Sequence, residues 1–124
     1  MPARVPDASV VAAFVFGEPR AREAARLLEG AELFAPSLLA YELANVACTK
    51  IRKDPASREG VLEGLRVSAR LGIALIQADR IRAAELALER NLSAYDAAYL
   101  LVARATGGTL VTFDAKLAAA ARVR

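Results

Sequence analysis

The sequence contains no histidine and a single cysteine in 124 residues. Without histidine, neither a Ser/His/Asp triad nor a histidine acid–base pair can be built. The lone Cys48 excludes a disulfide framework, leaves a structural zinc site without ligands, and in its apolar helical context is expected to be a small buried residue. No apolar run approaches the ~18 residues that would span a bilayer. MPARVPDAS also lacks the basic stretch, apolar core and small-residue cleavage site of a signal peptide. The expectation is a soluble, cytoplasmic protein whose chemistry, if it has any, runs on carboxylates, hydroxyls or a metal ion.

What is present is a foldable chain. It is 56% hydrophobic and 25% charged, which argues against disorder. At this length one domain over residues 1–124 is expected, with about two-thirds of the unfolded surface buried. Seventeen Lys and Arg against fourteen Asp and Glu leave a net charge of +3. That is a mild bias toward a polyanionic partner, although a solvated basic surface is the commoner explanation of such a charge.

Short apolar runs alternate with helical patterns. Arg4-Val5-Pro6 reads as a short first strand with Pro6 at its end, which places Asp7 at a strand-to-helix junction before the apolar segment Ser9–Phe16. After a turn at Gly17-Glu18-Pro19, Arg20–Leu28 reads as an amphipathic helix closed by Gly30. Glu32–Ala35 is a strand stopped by Pro36. Ser37 is placed to cap a helix from Leu38 to about Arg52, apolar nearly all round apart from a stripe through Glu42, Asn45 and Thr49. Asp54-Pro55 predicts the start of a further helix running to Leu71, with Gly72 just past its end. Gly60 and Gly64 inside that helix each cost about 1 kcal/mol relative to alanine. A close helix contact and a loosely constrained surface account for them equally.

Ile73–Ile76 is a third strand, and Asp79 caps a helix to Arg90 that Asn91 terminates. A helix over Ser93–Ala105, a Gly107-Gly108 turn, a strand over Thr109–Phe113 and a last helix from Asp114 to about Ala121 complete the chain. Strands alternating with helices predict an α/β fold with a mainly parallel sheet covered on both faces. No internal repeat or linker suggests a second domain.

Four acids stand out against this framework. Asp7 and Asp114 both follow apolar strands, at the edge where ligands gather in such folds, yet Asp also fills helix N-caps well. Asp96 fits a capping box opened by Ser93, but the stripe continuing through Tyr99, Leu100 and Ala103 is apolar and tilts the carboxylate inward. Glu42 belongs either to a solvent face or to a narrow polar groove. Thr112, two residues before Asp114 on the same side of its strand, offers a hydroxyl. If the four converge, like charges ~4 Å apart repel by about 4 kcal/mol at an effective dielectric near 20, so a cation must sit among them. Lys116 is adjacent in sequence, and an oxygen-only ligand set suits Mg²⁺ or Mn²⁺.

In Asp7-Ala-Ser9-Val, Tyr41-Glu42-Leu-Ala-Asn45, Leu92-Ser93-Ala-Tyr95-Asp96-Ala-Ala-Tyr99-Leu and Leu-Val-Thr112-Phe-Asp114-Ala-Lys-Leu, the sequence resembles PIN-domain ribonucleases, in particular the VapC-type toxins of prokaryotic toxin–antitoxin pairs. The resemblance covers essentially the whole chain and implies a PIN-like three-layer α/β/α domain. By it, Asp7, Glu42, Asp96 and Asp114 match the acidic cluster that binds divalent metal, with Ser9, Asn45 and Thr112 as polar supporters. It further implies a Mg²⁺- or Mn²⁺-dependent endoribonuclease acting by in-line attack of metal-activated water, a homodimer, an RNA substrate and a small antitoxin partner. The family's longer β-branched run before the first acid is absent here, where Pro2, Arg4 and Pro6 crowd the strand. Two other readings remain from the residues: a catalytically silent PIN-like module that binds RNA or protein, and a phosphatase with an aspartyl nucleophile. The latter lacks the second Asp it needs, because Ser9 stands at that position. Arg20, Arg22, Arg26, Lys50, Arg52 and Lys53 are candidates for phosphate contacts or for surface ion pairs.

Overall fold

The computed structural model describes residues 1–122. Four strands, β1 (Ala3–Pro6), β2 (Glu32–Pro36), β3 (Ala74–Ile76) and β4 (Thr109–Val111), form one sheet in the order β3-β2-β1-β4. Every pairing is parallel. The helices are α1 (Ala8–Val15), α2 (Ala21–Leu28), α3 (Leu39–Lys53), α4 (Arg58–Ser68), α5 (Arg80–Arg90), α6 (Ala94–Thr106) and α7 (Ala115–Arg122). Right-handed crossovers carry the chain from β1 through β3 in one direction and back to β4 in the other, so the connecting helices fall on opposite faces of the sheet. The packing agrees: α1 lies against α2, α3 and α4, while α5 pairs with α6, which lies along β1, β2 and β4. The result is a three-layer α/β/α domain.

The strands are short because proline ends two of them. Pro6 and Pro36, both buried, have no N–H to donate, and the next residue resumes the ladder. Asp7 N–H donates to the Val111 carbonyl at 3.1 Å, and Ser37 N–H to that of Ile76 at 2.9 Å. The main cluster gathers Val5, Val11, Ala12, Ala35, Leu39, Leu43, Tyr99 and Val102. Smaller ones lie between α5, α6 and α7 and between α1, α2 and β2.

Several boundaries differ from the sequence reading. Ser37 makes no capping bond: α3 opens on Leu38 without a side-chain cap, and Ser37 instead continues the sheet through its amide. Asp54 does not cap either. It closes α3 and leads into a 3₁₀ turn, Pro55–Ser57, whose Ser57 hydroxyl donates back to the Asp54 carbonyl at 2.6 Å. The helix after it ends at Ser68 rather than Leu71. The second strand extends through Pro36, the third begins at Ala74, and the fourth stops at Val111, since its partner β1 ends at Pro6. Cys48 is exposed, not buried: the inward ridge of α3 is Leu39, Leu43 and Ala47, and Cys48 lies a further ~100° around the helix. Phe14, in the apolar segment Ser9–Phe16, is 36% exposed.

Candidate active site

In an open parallel sheet the ligand crevice forms beyond the carboxyl ends of the strands, where the strand order reverses. Here the reversal falls at β1, between β2 and β4. Asp7 directly follows β1, and Asp114 follows β4 after a short loop. Sheet topology therefore brings together two acids from opposite ends of the chain.

Asp7 is the one buried charged residue among those described, at 7% exposure. Its Oδ1 accepts from the Ser9 amide (3.1 Å), the Ser9 hydroxyl (2.6 Å) and the Val10 amide (3.3 Å), so it does cap α1. Its Oδ2 accepts from the Thr112 hydroxyl at 2.5 Å. Thr112 Oγ1 accepts in turn from the Asp114 amide (2.9 Å), and Ser9 Oγ from the Phe113 amide (3.0 Å). Two hydroxyls thus tie the first acid to the loop that carries the last. From the other side that loop is held by Arg20, whose guanidinium lies 3.7 Å over the Phe113 ring while pairing with Glu23.

Asp114 is exposed and caps α7 through Oδ1, which accepts from the Lys116 and Leu117 amides. Its Oδ2 takes no hydrogen bond among the described residues. Asp96 sits in the first turn of α6, where Ser93 caps its amide at 3.0 Å, so the capping and inward-leaning readings hold together. Burial pushes the Asp96 carboxyl above the ordinary range, and repulsion from Asp114 and Asp7 pushes the same way. Lys116 opposes the shift.

Glu42 is half-buried on α3. Its Oε1 accepts from the Tyr99 hydroxyl at 2.6 Å. Burial raises its pKa, the Tyr99 bond works against the rise, and Asp7 and Asp96 add repulsion. Tyr99, 1% exposed, has its own pKa pushed up by burial and by donating to that carboxylate.

Repulsion therefore links the acids through Asp96, which feels Asp7 and Asp114, and through Glu42, which feels Asp7 and Asp96. They are not a closed cage: among the described residues, no three carboxylates converge tightly enough to hold an ion unaided. The oxygen-only donors, the mutual repulsion and the open carboxylate oxygens fit a hard divalent ion that keeps several waters, as Mg²⁺ does. Within the site, Ser9 and Thr112 both donate their hydroxyls to Asp7. Asn45 does not join it: it is exposed, and its carbonyl accepts from the Thr49 hydroxyl at 3.1 Å.

The residue missed from the sequence is Tyr99. Its position three residues after Asp96 put both on one face of α6, and that was the signal. The phosphate-contact candidates divide, because Arg20 is committed to Glu23 and Lys50 to Glu18 at 2.6 Å. A hollow of about 920 Å³ along β4 is lined by Leu27, Leu110, Thr112 and Phe113 but by none of the four acids, so it belongs to the open sheet edge rather than to this site.

A parallel sheet whose reversal point is flanked by acids, with further acids supplied by helices on both faces, defines a class of α/β proteins built around a carboxylate crevice. Within that class the chain belongs to the PIN-domain family, whose model matches residues 4–123. It is similar to ribonuclease VapC3 of Pyrobaculum aerophilum, with 36% identity over 122 residues, 92% of this chain and 91% of the relative. It also resembles the crystal structure of PAE2754 from Pyrobaculum aerophilum, with a TM-score of 0.82 and 25% identity, covering 98% of this chain and 86% of that one. No helix among the described residues is long and apolar enough to cross a membrane.

Proposed function

We propose that this single domain is a Mg²⁺- or Mn²⁺-dependent endoribonuclease that works in the cytoplasm as a homodimer, the toxin of a pair with a small antitoxin protein. The observation that carries this reading is the tie at the sheet's reversal point, where the Thr112 hydroxyl donates to Asp7 and accepts from the amide of Asp114. The relationship to a ribonuclease VapC supports the choice of RNA.

Asp7, Glu42, Asp96 and Asp114 are the proposed catalytic residues and the groups that would hold the ion. When bound, the ion supplies Lewis-acid stabilisation of the phosphate and a water acidic enough to attack it. The chain's own part is orientation. Asp7 is locked by Ser9, Val10 and Thr112 and has no rotational freedom to lose on binding. Glu42, its pKa raised by burial and its carboxylate anchored by the Tyr99 hydroxyl, is placed to exchange a proton with a neighbouring oxygen.

Purified protein incubated with structured RNA and Mn²⁺ should cleave it, and Asp96→Asn should lower the rate at least 100-fold, the scale of a lost acid–base or metal-binding group. Undiminished cleavage by that variant, or by Asp7→Asn, would sink the assignment. The openness of the carboxylate set favours a second reading, a catalytically silent module that binds RNA or protein. Calorimetry separates the two, since a silent module keeps its binding but takes up no divalent ion and cuts nothing.

A further inference from the structure

Two of the three tyrosines in the chain stand exposed, one residue before two of the four acids. Tyr41, 80% exposed, precedes Glu42 in the first turn of α3. Tyr95, 65% exposed, precedes Asp96 in the first turn of α6. The two helices are drawn together there, because the Tyr99 hydroxyl, one turn beyond Tyr95 on α6, donates to Glu42 of α3 at 2.6 Å. Among the described residues neither exposed ring has a hydrogen-bond or ring partner, whereas Tyr99 is buried and bonded. In a chain of four phenylalanines, three tyrosines and no tryptophan, two exposed phenol rings in the first turns of α3 and α6, each next to an acid, are a concentration of aromatic surface.

We propose that Tyr41 and Tyr95 are stacking platforms that hold unpaired bases of single-stranded RNA over the acids. The inference rests on the reading of this site as a ribonuclease centre and adds the kind of RNA segment it accepts. An RNA backbone carries the same sign as the four carboxylates, so the carboxylates themselves offer it no attraction. An uncharged contact at the rim avoids that conflict, and stacking on aromatic rings tolerates any base because every base has a π-face. Within a duplex those faces are already covered by neighbouring pairs; in loops and single strands they are open. The rings therefore select unpaired segments, with little preference among bases.

The absence of tryptophan makes the test direct, since the protein's emission comes from tyrosine alone and Tyr99, bonded to a carboxylate, contributes little of it. Wild-type protein with chelator present, to suppress cleavage, is titrated with a fluorescently labelled single-stranded oligoribonucleotide of mixed sequence. Tyrosine emission should fall in step with the rise in oligonucleotide anisotropy, and the same strand annealed to its complement should leave it unchanged. With Mn²⁺ present, Tyr41→Leu and Tyr95→Leu should each raise KM on the order of tenfold, within the range measured for one stacked base. Their kcat should stay near wild type, and Tyr41→Phe and Tyr95→Phe should restore KM because the ring remains. Oligonucleotide binding with unchanged emission, or leucine variants with wild-type KM, would overturn the proposal while leaving the ribonuclease reading intact. Leucine variants that bind RNA normally but lose self-association in sedimentation would hand the two rings to a protein contact and overturn it as well. Failure of the ribonuclease reading looks different: wild-type protein with Mn²⁺ then cuts no RNA, whatever the tyrosines do.

Discussion

At the scale of single residues, the site depends on hydroxyls as much as on acids. Thr112 donates to Asp7 Oδ2 and accepts from the Asp114 amide. Replacing it with valine, of nearly the same shape, leaves both without that partner. We expect Thr112→Val to lower stability by about 1–3 kcal/mol in urea unfolding and to reduce cleavage by roughly tenfold or more through a less fixed Asp7. Loss of stability with full activity would show that Thr112 serves the fold alone. Glu42 and Asp96 carry a pH dependence of definite sign. Burial raises both, so each protonates more readily in the folded chain than in the unfolded one. Such a group contributes stability that is fully present below its unfolded pKa and lost as pH rises through the folded value. Glu42→Gln keeps an oxygen to accept from Tyr99 but cannot ionise. Its Tm without divalent ions should match wild type in acid and move above it as pH climbs from the ordinary carboxylate range toward neutrality. A difference that stays constant across that range would contradict the assigned shift.

At the scale of elements, what could be read from the sequence was what is local. Asp79 caps α5 by accepting from the Ile81 and Arg82 amides, and Asn91 ends the same helix at φ +55. Ser93 and Gly107 do the same for α6, because each motif is complete within a few residues. Ser37 makes no cap and instead pairs its amide with remote Ile76, a partner invisible in the local pattern; Asp54 is followed by a 3₁₀ turn rather than directly by α4. Asp7 and Thr112 lie 105 positions apart and Glu42 and Tyr99 57, so these contacts follow from topology and not from any spacing. Asn45 was placed in the site by the family resemblance, whereas α3 turns it to solvent. The two glycines of α4 were indistinguishable in sequence and are opposites in the structure. A Cβ on Gly64 would press on the Val15 carbonyl and come within 2.9 Å of Phe16 Cδ1, whereas one on Gly60 would meet nothing within 4 Å. Gly60→Ala should therefore stabilise by up to about 1 kcal/mol from helix propensity. Gly64→Ala should destabilise by about 1–3 kcal/mol through overpacking against α1. Chemical unfolding of both variants checks the pair, and equal effects of the same sign would mean that α1 and α4 do not meet closely at Gly64.

At the scale of the whole molecule, a chain of net charge +3 keeps four acids within mutual range, with Lys116 the cation that relieves Asp96. The fold bears that repulsion at the reversal point of its sheet, where Asp7 and Asp114 are fixed by caps and hydroxyls and cannot swing away. An ion that binds only the folded arrangement must then stabilise the entire domain. At 100 times its Kd the gain is about 2.7 kcal/mol, which for a domain of this size is roughly a 10 °C rise in Tm. Protons compete for the same oxygens, so the rise should be full near neutral pH and fade as pH falls through the carboxylate range. NaCl at matched ionic strength controls for general screening. Asp96→Asn, which removes the acid coupled to both strand-end carboxylates, should raise Tm in the absence of Mn²⁺ by relieving repulsion and should abolish most of the further rise when Mn²⁺ is added. That crossed pattern separates a metal-binding acid from a merely buried one, since a buried acid without a ligand role would show the first effect and leave the second intact. Differential scanning calorimetry of both proteins, with and without Mn²⁺ at two pH values, reads all of these terms together. A wild-type Tm indifferent to Mn²⁺ at neutral pH would remove the metal site from this account and leave the four acids as caps and a strained polar crevice.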